Sequence, residues 1–423
     1  MRESSMRVLL VAEHASCKFG GEAMLPLQYF RVMRRLGIEV WMLVHARTRG
    51  ELQDVLAGEF SRVHYVEDSL INKACWLVGR RLPSRIRTIT TGAISHMNTQ
   101  WRQRLHAKRL VHENKIDVIH EVAPVSPRMP SMMLGLGAPV VIGPMNGGMK
   151  YPAAFTHMQA PGEKSLYAVS KYIAWLANIV IPGKRLASAL LVANERTRDA
   201  LVVPKSGKTH YIVENAVDLA VLRTSRDVIA KDKDPDRIVY VGRLVECKCV
   251  HLLIQAAAIA SRDVEFTLEI IGDGPERLRL EQLSRQCGID HRVSFLGYIP
   301  HSECMQRLDG AAALVLPSVI ECGGAVVLEA MSLRIPVIAL RWGGPADYLD
   351  ETCGILIEPT TQEAIVRGIA SNIVLLISDE LHRRQLGEMG RRRVEECYNW
   401  EKKVAQVLEV YRDAINTNRS KCE

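Results

Sequence analysis

The sequence predicts an α/β protein built of two doubly wound, Rossmann-like domains in series. Three observations carry that expectation. At 423 residues the chain is too long for one compact core of usual size. Short apolar runs alternate with helical-period stretches in both halves, the pattern of parallel strands joined by crossover helices. Most of those runs end in a Gly-containing loop, and in an open α/β sheet that carboxyl edge is where ligands bind.

The first half opens with a strand over Arg7–Ala12 and a second over Glu39–Val44. Between them Leu25, Tyr29, Val32, Met33 and Leu36 recur at helical spacing, and Gly37 is a natural stop. That is a βαβ unit with a right-handed crossover. The loop after the first strand carries Lys18, Gly20, Gly21 and Glu22, and paired glycines let backbone N–H groups approach an anion. It is not G-x-G-x-x-G, so a dinucleotide fingerprint is absent. Residues 46–113 read as basic, amphipathic helices. Strands follow at Lys115–His120 and Pro139–Ile142, then a second Gly-rich loop with Asn146, Gly147 and Gly148. His120 ends its strand in a usual ligand position, although a lone histidine is also commonly structural. Ser188–Ala193 is a further strand, followed by a helix from near Glu195.

Asp218–Asp236 is charged and lacks apolar periodicity, as a linker does; Asp232-Lys-Asp234 within it precedes a strand and reads as a solvated run. A second βα series follows. Its strands are Arg237–Val241, Phe266–Ile271, Arg292–Leu296, Ala311–Pro317, Pro336–Leu340 and Gly354–Ile357. The expected division is residues 1–205, 206–395 and a C-terminal helix over 396–423.

Within that series, Ser318–Met331 combines a Gly-bearing turn at Glu321-Cys-Gly-Gly with an apolar helical run holding Glu329. A strand, a Gly-rich turn and a helix start place free N–H groups at the sheet edge, which suits a phosphate or a hydroxyl-bearing ligand. Glu329, two turns into the helix, suits a polyol such as ribose. Read alone, the two glutamates also fit a first-turn dipole partner and a solvated side chain. Arg243 and Lys248, in the loop after the first strand of this series, supply two cations for a diphosphate and could stabilise it as a leaving group without a metal.

Composition narrows the classes. Hydrophobic content of 48% with 24% charged residues is ordinary for a globular protein. Lys+Arg 55 against Asp+Glu 47 leaves a net +8. Arg80, Arg81, Arg85, Arg87, Arg102, Arg104, Lys108 and Arg109 crowd one region, which suits nucleic acid, an anionic membrane surface or a phosphorylated substrate, or is simply a solvated helix face. Interleaved aromatic and basic residues of a nucleic-acid surface are absent. The ten cysteines lack zinc-site spacing and fit free thiols of a reducing cytosol. The expected location is cytoplasmic, with the inner face of the plasma membrane as the narrower alternative. No apolar run reaches the ~20 residues of a membrane span. Tyr172–Pro182 reads first as a buried helix, with an interfacial segment as the alternative.

Taken together, Gly242-Arg-Leu244, Lys248, Gly272-Asp-Gly-Pro275, Leu296-Gly-Tyr-Ile-Pro300, Glu321 with Glu329 in E-x7-E, and Gly343-Gly-Pro-Ala346 resemble the family-four retaining glycosyltransferases of the GT-B fold. The match covers nearly all of the second half. The first half agrees more loosely, through Gly20-Gly-Glu22, His120 and Glu214-Asn-Ala-Val-Asp218. The resemblance implies that Arg243 and Lys248 bind the donor diphosphate, Glu329 the ribose, and that Glu321 contacts the donor sugar or assists the leaving group. Gly297 and Tyr298 would lie against the base. Gly272, Gly323, Gly324, Ala325 and Val326 would complete the donor site, and His120 would approach the donor sugar from the first domain. Gly20 and Gly21 would lie near the diphosphate, and Asn146, Gly147 and Gly148 on the acceptor side. Two positions depart from the family pattern. Cys249 stands where glycine is usual, and Cys322-Gly323 replaces the frequent Gly-Phe pair.

The implied reaction moves a sugar from a UDP- or GDP-sugar to a hydroxyl of a glycan or lipid-linked glycan in envelope or exopolysaccharide assembly, with retention and without a cofactor or metal. The domains would close over the donor, and the helix through Tyr411 would cross back to the first domain. A nucleotide-sugar epimerase and a non-catalytic sugar-nucleotide binder share the architecture. The first would need acid/base residues that are not evident, and the second has no need of a leaving-group clamp.

Overall fold

The computed structural model describes residues 6–18, 21–56, 58–82, 87–122, 126–159, 163–203, 208–220 and 234–420. They form two compact units. One comprises Met1–Gly148, Lys164–Glu214 and Trp400–Glu423, the other Met149–Glu163 and Asn215–Asn399. The main junction thus falls at Glu214/Asn215 rather than near 206, because Thr209–Tyr211 still belongs to the first sheet.

The first unit is built on seven parallel strands: β1 (Arg7–Val11), β2 (Glu39–His45), β3 (Val63–Val66), β4 (Val118–Glu121), β5 (Val140–Met145), β6 (Ala189–Val192) and β7 (Thr209–Tyr211). Their order is β3-β2-β1-β4-β5-β6-β7. In register, Leu10 lies between Met42 and His120 at the centre of the sheet. The central strands are buried on both faces, as parallel strands covered by helices must be, with His120 and Glu121 of β4 as buried polar residues among them. Two strands were not expected. β3 falls inside 46–113, a stretch read as helices, and β7 is only three residues long. Both are short edge strands, and four or three residues carry too little periodicity to register.

The helix Gly21–Arg35 packs Leu25, Tyr29, Val32 and Met33 inward, and Gly37 beyond its end takes a φ of 79° that favours glycine. Leu36 departs from the expected stripe and is exposed. The C-terminal helix Trp400–Arg419 belongs to the first unit, with Val404, Val407, Val410 and Tyr411 buried. Lys403 is buried beside it. Its Nζ donates to the Glu214 carbonyl and lies 4.2 Å from the Trp400 ring centre and 4.9 Å from that of Tyr29. Burial pulls this amine down to about 7.

The second unit repeats the plan with β8 (Arg237–Val241), β9 (Thr267–Ile271), β10 (Val293–Gly297), β11 (Ala313–Leu316), β12 (Val337–Leu340) and β13 (Ile355–Ile357), ordered β10-β9-β8-β11-β12-β13. Each sheet has its chain reversal between the first and fourth strands of its series, the topological position at which open α/β sheets bind ligands. Of the expected linker, residues 221–233 lie outside the described residues, as do Asp232 and Lys233 of the solvated run.

Tyr172–Pro182 is a correction. The helix Glu163–Val180 is formed, but Tyr172, Ile173, Trp175, Leu176, Ile179 and Val180 are exposed, whereas Asn178 is buried.

Candidate functional site

In the second unit the carboxyl edge is assembled from loops that lean on one another through backbone contacts. Gly242 N–H donates to the Ile271 carbonyl at 3.0 Å, Leu244 N–H to the Asp273 carbonyl at 2.9 Å, and Gly272 N–H to the Gly297 carbonyl at 2.8 Å. A Cβ on Gly272 would lie 1.9 Å from the Gly242 carbonyl oxygen, and one on Gly274 would lie 2.3 Å from that of Leu244. Those glycines are required by close approach of two backbones as well as by a φ of 133° at Gly272. Beneath them the buried Tyr240 hydroxyl donates to the Arg243 carbonyl at 3.2 Å, fixing the loop that carries both cations.

Lys248 and Glu321 are brought into direct contact, Nζ to Oε2, from loops 73 residues apart. Both side chains are largely enclosed, at 14% and 17% exposure, where an ion pair is screened less than on the open surface. Arg243 is exposed and makes no ion pair among the described residues. Gly324, at a φ of 79°, precedes the helix Ala325–Ser332, whose N-terminus has no side-chain cap. Ala325 and Val326 are half-buried there, and Gly323 is buried. The Val327 N–H donates to the Gly324 carbonyl at 2.9 Å, and the first-turn N–H groups of Ala325 and Val326, beside a lysine, make an anion-binding corner.

Gly343 and Gly344 hold the Glu321 turn from behind. The Gly344 N–H donates to the Glu321 carbonyl at 2.7 Å, and a Cβ on Gly343 would lie 2.4 Å from that same oxygen. Cys249 has a φ of 51°, the left-handed region that glycine occupies without cost, which gives a backbone reason for glycine being usual at this position. Its thiol is fully enclosed and pushed up to about 12 by burial.

Glu329 accepts a hydrogen bond from His301 Nε2 at 3.0 Å. That bond raises the imidazole above its ordinary value. His301 was missed by sequence reasoning because it lies 28 positions from Glu329 and belongs to no motif. Tyr298 is 76% exposed, and Gly297 beside it is buried with a φ of 68°.

In the first unit, a cavity of about 290 Å³ is lined by Glu22, Ser126, Pro127, Arg128, Asn146, Gly147 and Gly148. Asn146 is held by a 2.6 Å hydrogen bond to Glu214, and the Gly147 N–H by Thr197 Oγ1 at 3.1 Å. Gly147 must lack a side chain, since a Cβ would meet Pro127 Cδ at 2.9 Å. Gly21 opens its helix and is exposed, whereas Gly20 lies outside the described residues. The expected loop at Asn146–Gly148 is therefore a cavity wall.

His120 requires a correction. It is fully buried, its Nε2–H donates to the Gly143 carbonyl at 2.6 Å, and its Nδ1 accepts from the Tyr411 hydroxyl at 2.6 Å. Burial lowers its pKa to about 4, so it stays neutral. Both nitrogens are engaged with protein, and neither is presented to a sugar. Among the described residues no cluster of three or more His, Cys, Asp or Glu is placed to hold a metal ion.

Comparison with known proteins agrees with this geometry. Residues 223–393 match the family model of glycosyl transferases group 1. An uncharacterized glycosyltransferase of Methanocaldococcus jannaschii is 31% identical over 191 residues, which is 45% of this chain and 48% of that protein. The match thus spans about half the length of such a relative. Among solved structures, sucrose-phosphate synthase from Thermosynechococcus elongatus superposes with a TM-score of 0.67 at 21% identity, over 97% of this chain and 100% of the other. The Anabaena protein HepE, solved with UDP-glucose, gives 0.60 at 16% identity over 96% and 99% of the two chains. The chain has the GT-B fold, and the stretch that matches glycosyl transferases group 1, residues 223–393, is the greater part of its second unit.

Proposed function

We propose that the protein transfers a sugar from a nucleoside diphosphate sugar, UDP- or GDP-linked, to a hydroxyl of a glycan or lipid-linked glycan, with retention at the anomeric carbon. The observation that carries this reading is the Lys248–Glu321 contact at the uncapped start of the helix Ala325–Ser332. It joins a cation, a carboxylate and free backbone donors at one corner of the second sheet.

In this reading Arg243, Lys248 and the first-turn N–H groups hold the diphosphate, and Glu329 accepts from the ribose hydroxyls. Tyr298, exposed on its loop, offers a ring face to the base. The acceptor oxygen attacks the anomeric carbon as its bond to the leaving phosphate oxygen breaks. That phosphate oxygen takes the acceptor proton, so attack and departure occur on one face and configuration is retained. Charge gathering on the leaving diphosphate is met by the two cations, and the reading calls on no resident metal. The cavity of the first unit, with Glu22, Ser126, Arg128 and Asn146 as polar contacts, is assigned to the acceptor. The solved complex of HepE with UDP-glucose supports the donor class.

The test is thermal stabilisation by a panel of nucleoside diphosphates and their sugars, with and without chelator. A shift with one base, insensitive to chelator and lost in Arg243→Ala, is expected. No shift with any donor would remove the reading.

A further inference from the structure

One helix of the first unit, and the first half of another, are built inside out. In Leu70–Gly79 the side chain turned inward is Asn72, 2% exposed. Its Nδ2 donates to Ser95 Oγ at 2.9 Å and to Thr99 Oγ1 at 3.0 Å, and its Oδ1 accepts from Asn98 at 2.6 Å. In the first half of the helix Ala93–Asn114 the inward residues are Thr99, Gln100 and Gln103, whereas its second half packs Ala107, Leu110 and Val111 into the core. Gln100 donates to Glu121 at 2.9 Å and Gln103 to the Ala12 carbonyl at 2.7 Å. In Leu70–Gly79 and the first half of Ala93–Asn114 the polar side is thus satisfied against protein, and the apolar side is left to the outside. Leu70 is 84% exposed, Trp76 64%, Leu77 55% and Trp101 49%.

A cytosol-facing helix has the opposite arrangement, and a contiguous apolar face on a monomer marks a contact surface. Charge says which kind. From Ser69 to His112 the chain has nine lysines and arginines and no aspartate or glutamate. Arg80 and Arg81 follow the exposed Trp76–Val78 run after Gly79, and the Arg80 guanidinium lies 5.1 Å from the Trp76 ring centre. Tryptophan with arginine at the edge of an apolar face is the composition suited to the boundary between headgroups and acyl chains.

A third inverted helix adjoins the first pair. In Glu163–Val180, Asn178 faces inward and donates to the Arg128 carbonyl at 2.9 Å, while Tyr172 and Trp175 are exposed with their rings 5.7 Å apart. Lys164 to Asn194 again contains no acidic residue. The link is local: Pro182, just past this helix, bridges to Ser131, and Met132 next to it helps close an apolar groove of about 440 Å³ with Ile71, Ile94 and Trp101. No described helix is long and apolar enough to cross a membrane.

We propose that the face carrying Leu70, Trp76, Leu77 and Trp101, extended by Tyr172 and Trp175, docks in the plane of an anionic lipid bilayer. The arginines lie among headgroup phosphates, and the groove is filled by an acyl-chain segment. This rests on exposed side chains of the first unit and stands whether or not the transfer reading holds.

The experiment is co-sedimentation of the full chain with phosphatidylcholine vesicles, with and without about one third phosphatidylglycerol, at low and high salt. Binding is expected only with the anionic lipid, weakened about tenfold or more by high salt. Trp76→Ser with Trp101→Ser, and separately Arg80→Glu with Arg81→Glu, should each weaken it about tenfold or more with unfolding midpoints unchanged. In the unaltered chain, lipids brominated near the headgroup should quench tryptophan fluorescence, a readout that needs no variant. Equal binding to neutral vesicles, no binding, or a concentration-dependent dimer abolished by the tryptophan variant would each overturn the proposal, the last by giving the face to a second copy.

Discussion

The Tyr411 hydroxyl and His120 Nδ1 are 2.6 Å apart although 291 positions separate them. The bond ties the C-terminal helix to the central strand β4, in a buried cluster where the Tyr29 ring meets His120 edge-on at 5.0 Å and Trp400 at 4.9 Å. Tyr411→Phe removes the donor and leaves a buried imidazole nitrogen without a partner. We expect a loss of about 1–3 kcal/mol in urea unfolding.

The same histidine gives a pH signature. Its folded value is about 4 against an ordinary 6.5, so the unfolded chain takes up the proton first as pH falls. Its contribution to stability is full above 6.5 and is lost progressively as pH falls from 6.5 to 4, by up to roughly 3 kcal/mol. The pH dependence of unfolding in that window should flatten in His120→Gln.

Lys248 and Glu321 should separate binding from turnover. Lys248→Ala removes a phosphate donor and is expected to weaken nucleoside diphosphate affinity about tenfold or more. Glu321→Gln releases Lys248 from its partner, so affinity for the diphosphate should hold or rise while sugar transfer falls about 100-fold. Calorimetry and product release measured on the two variants distinguish these outcomes; parallel losses would deny Glu321 a role apart from folding.

His301 shares Glu329 with any ribose that binds there. Because the bond to Glu329 raises the His301 pKa, its charged form persists to higher pH, and the imidazolium then competes for the carboxylate. Donor affinity should therefore rise a few-fold, by about 2–5-fold, as pH increases through that titration. The rise should vanish in His301→Gln.

Gly272→Ala is expected to destabilise the second unit by roughly 2–4 kcal/mol, since the new methyl would overlap the Gly242 carbonyl at 1.9 Å. Ser261→Ala, on a helix end remote from the loops, should change the same measurement by less than about 0.5 kcal/mol.

What the sequence determined by itself was set by local rules. Strands β8 to β12 are apolar runs bounded by Gly or Pro, and Gly272, Gly324 and Lys248 sit in loops whose backbone chemistry is written in consecutive residues. The two-sheet plan and the second-unit cluster were legible for that reason. Folding alone decided what depends on contacts between distant positions. His120 looked like a ligand at a strand end, and only Tyr411 and Gly143, approaching from elsewhere, occupy both its nitrogens. His301 reached Glu329 without a motif. The apolar stripe at 172–180 has the period of a buried helix, and periodicity reports that one face is apolar without saying which way it turns. Asn178 and Asn72, hydrogen-bonded inward, settle that direction because a buried amide must find partners while an exposed tryptophan need not.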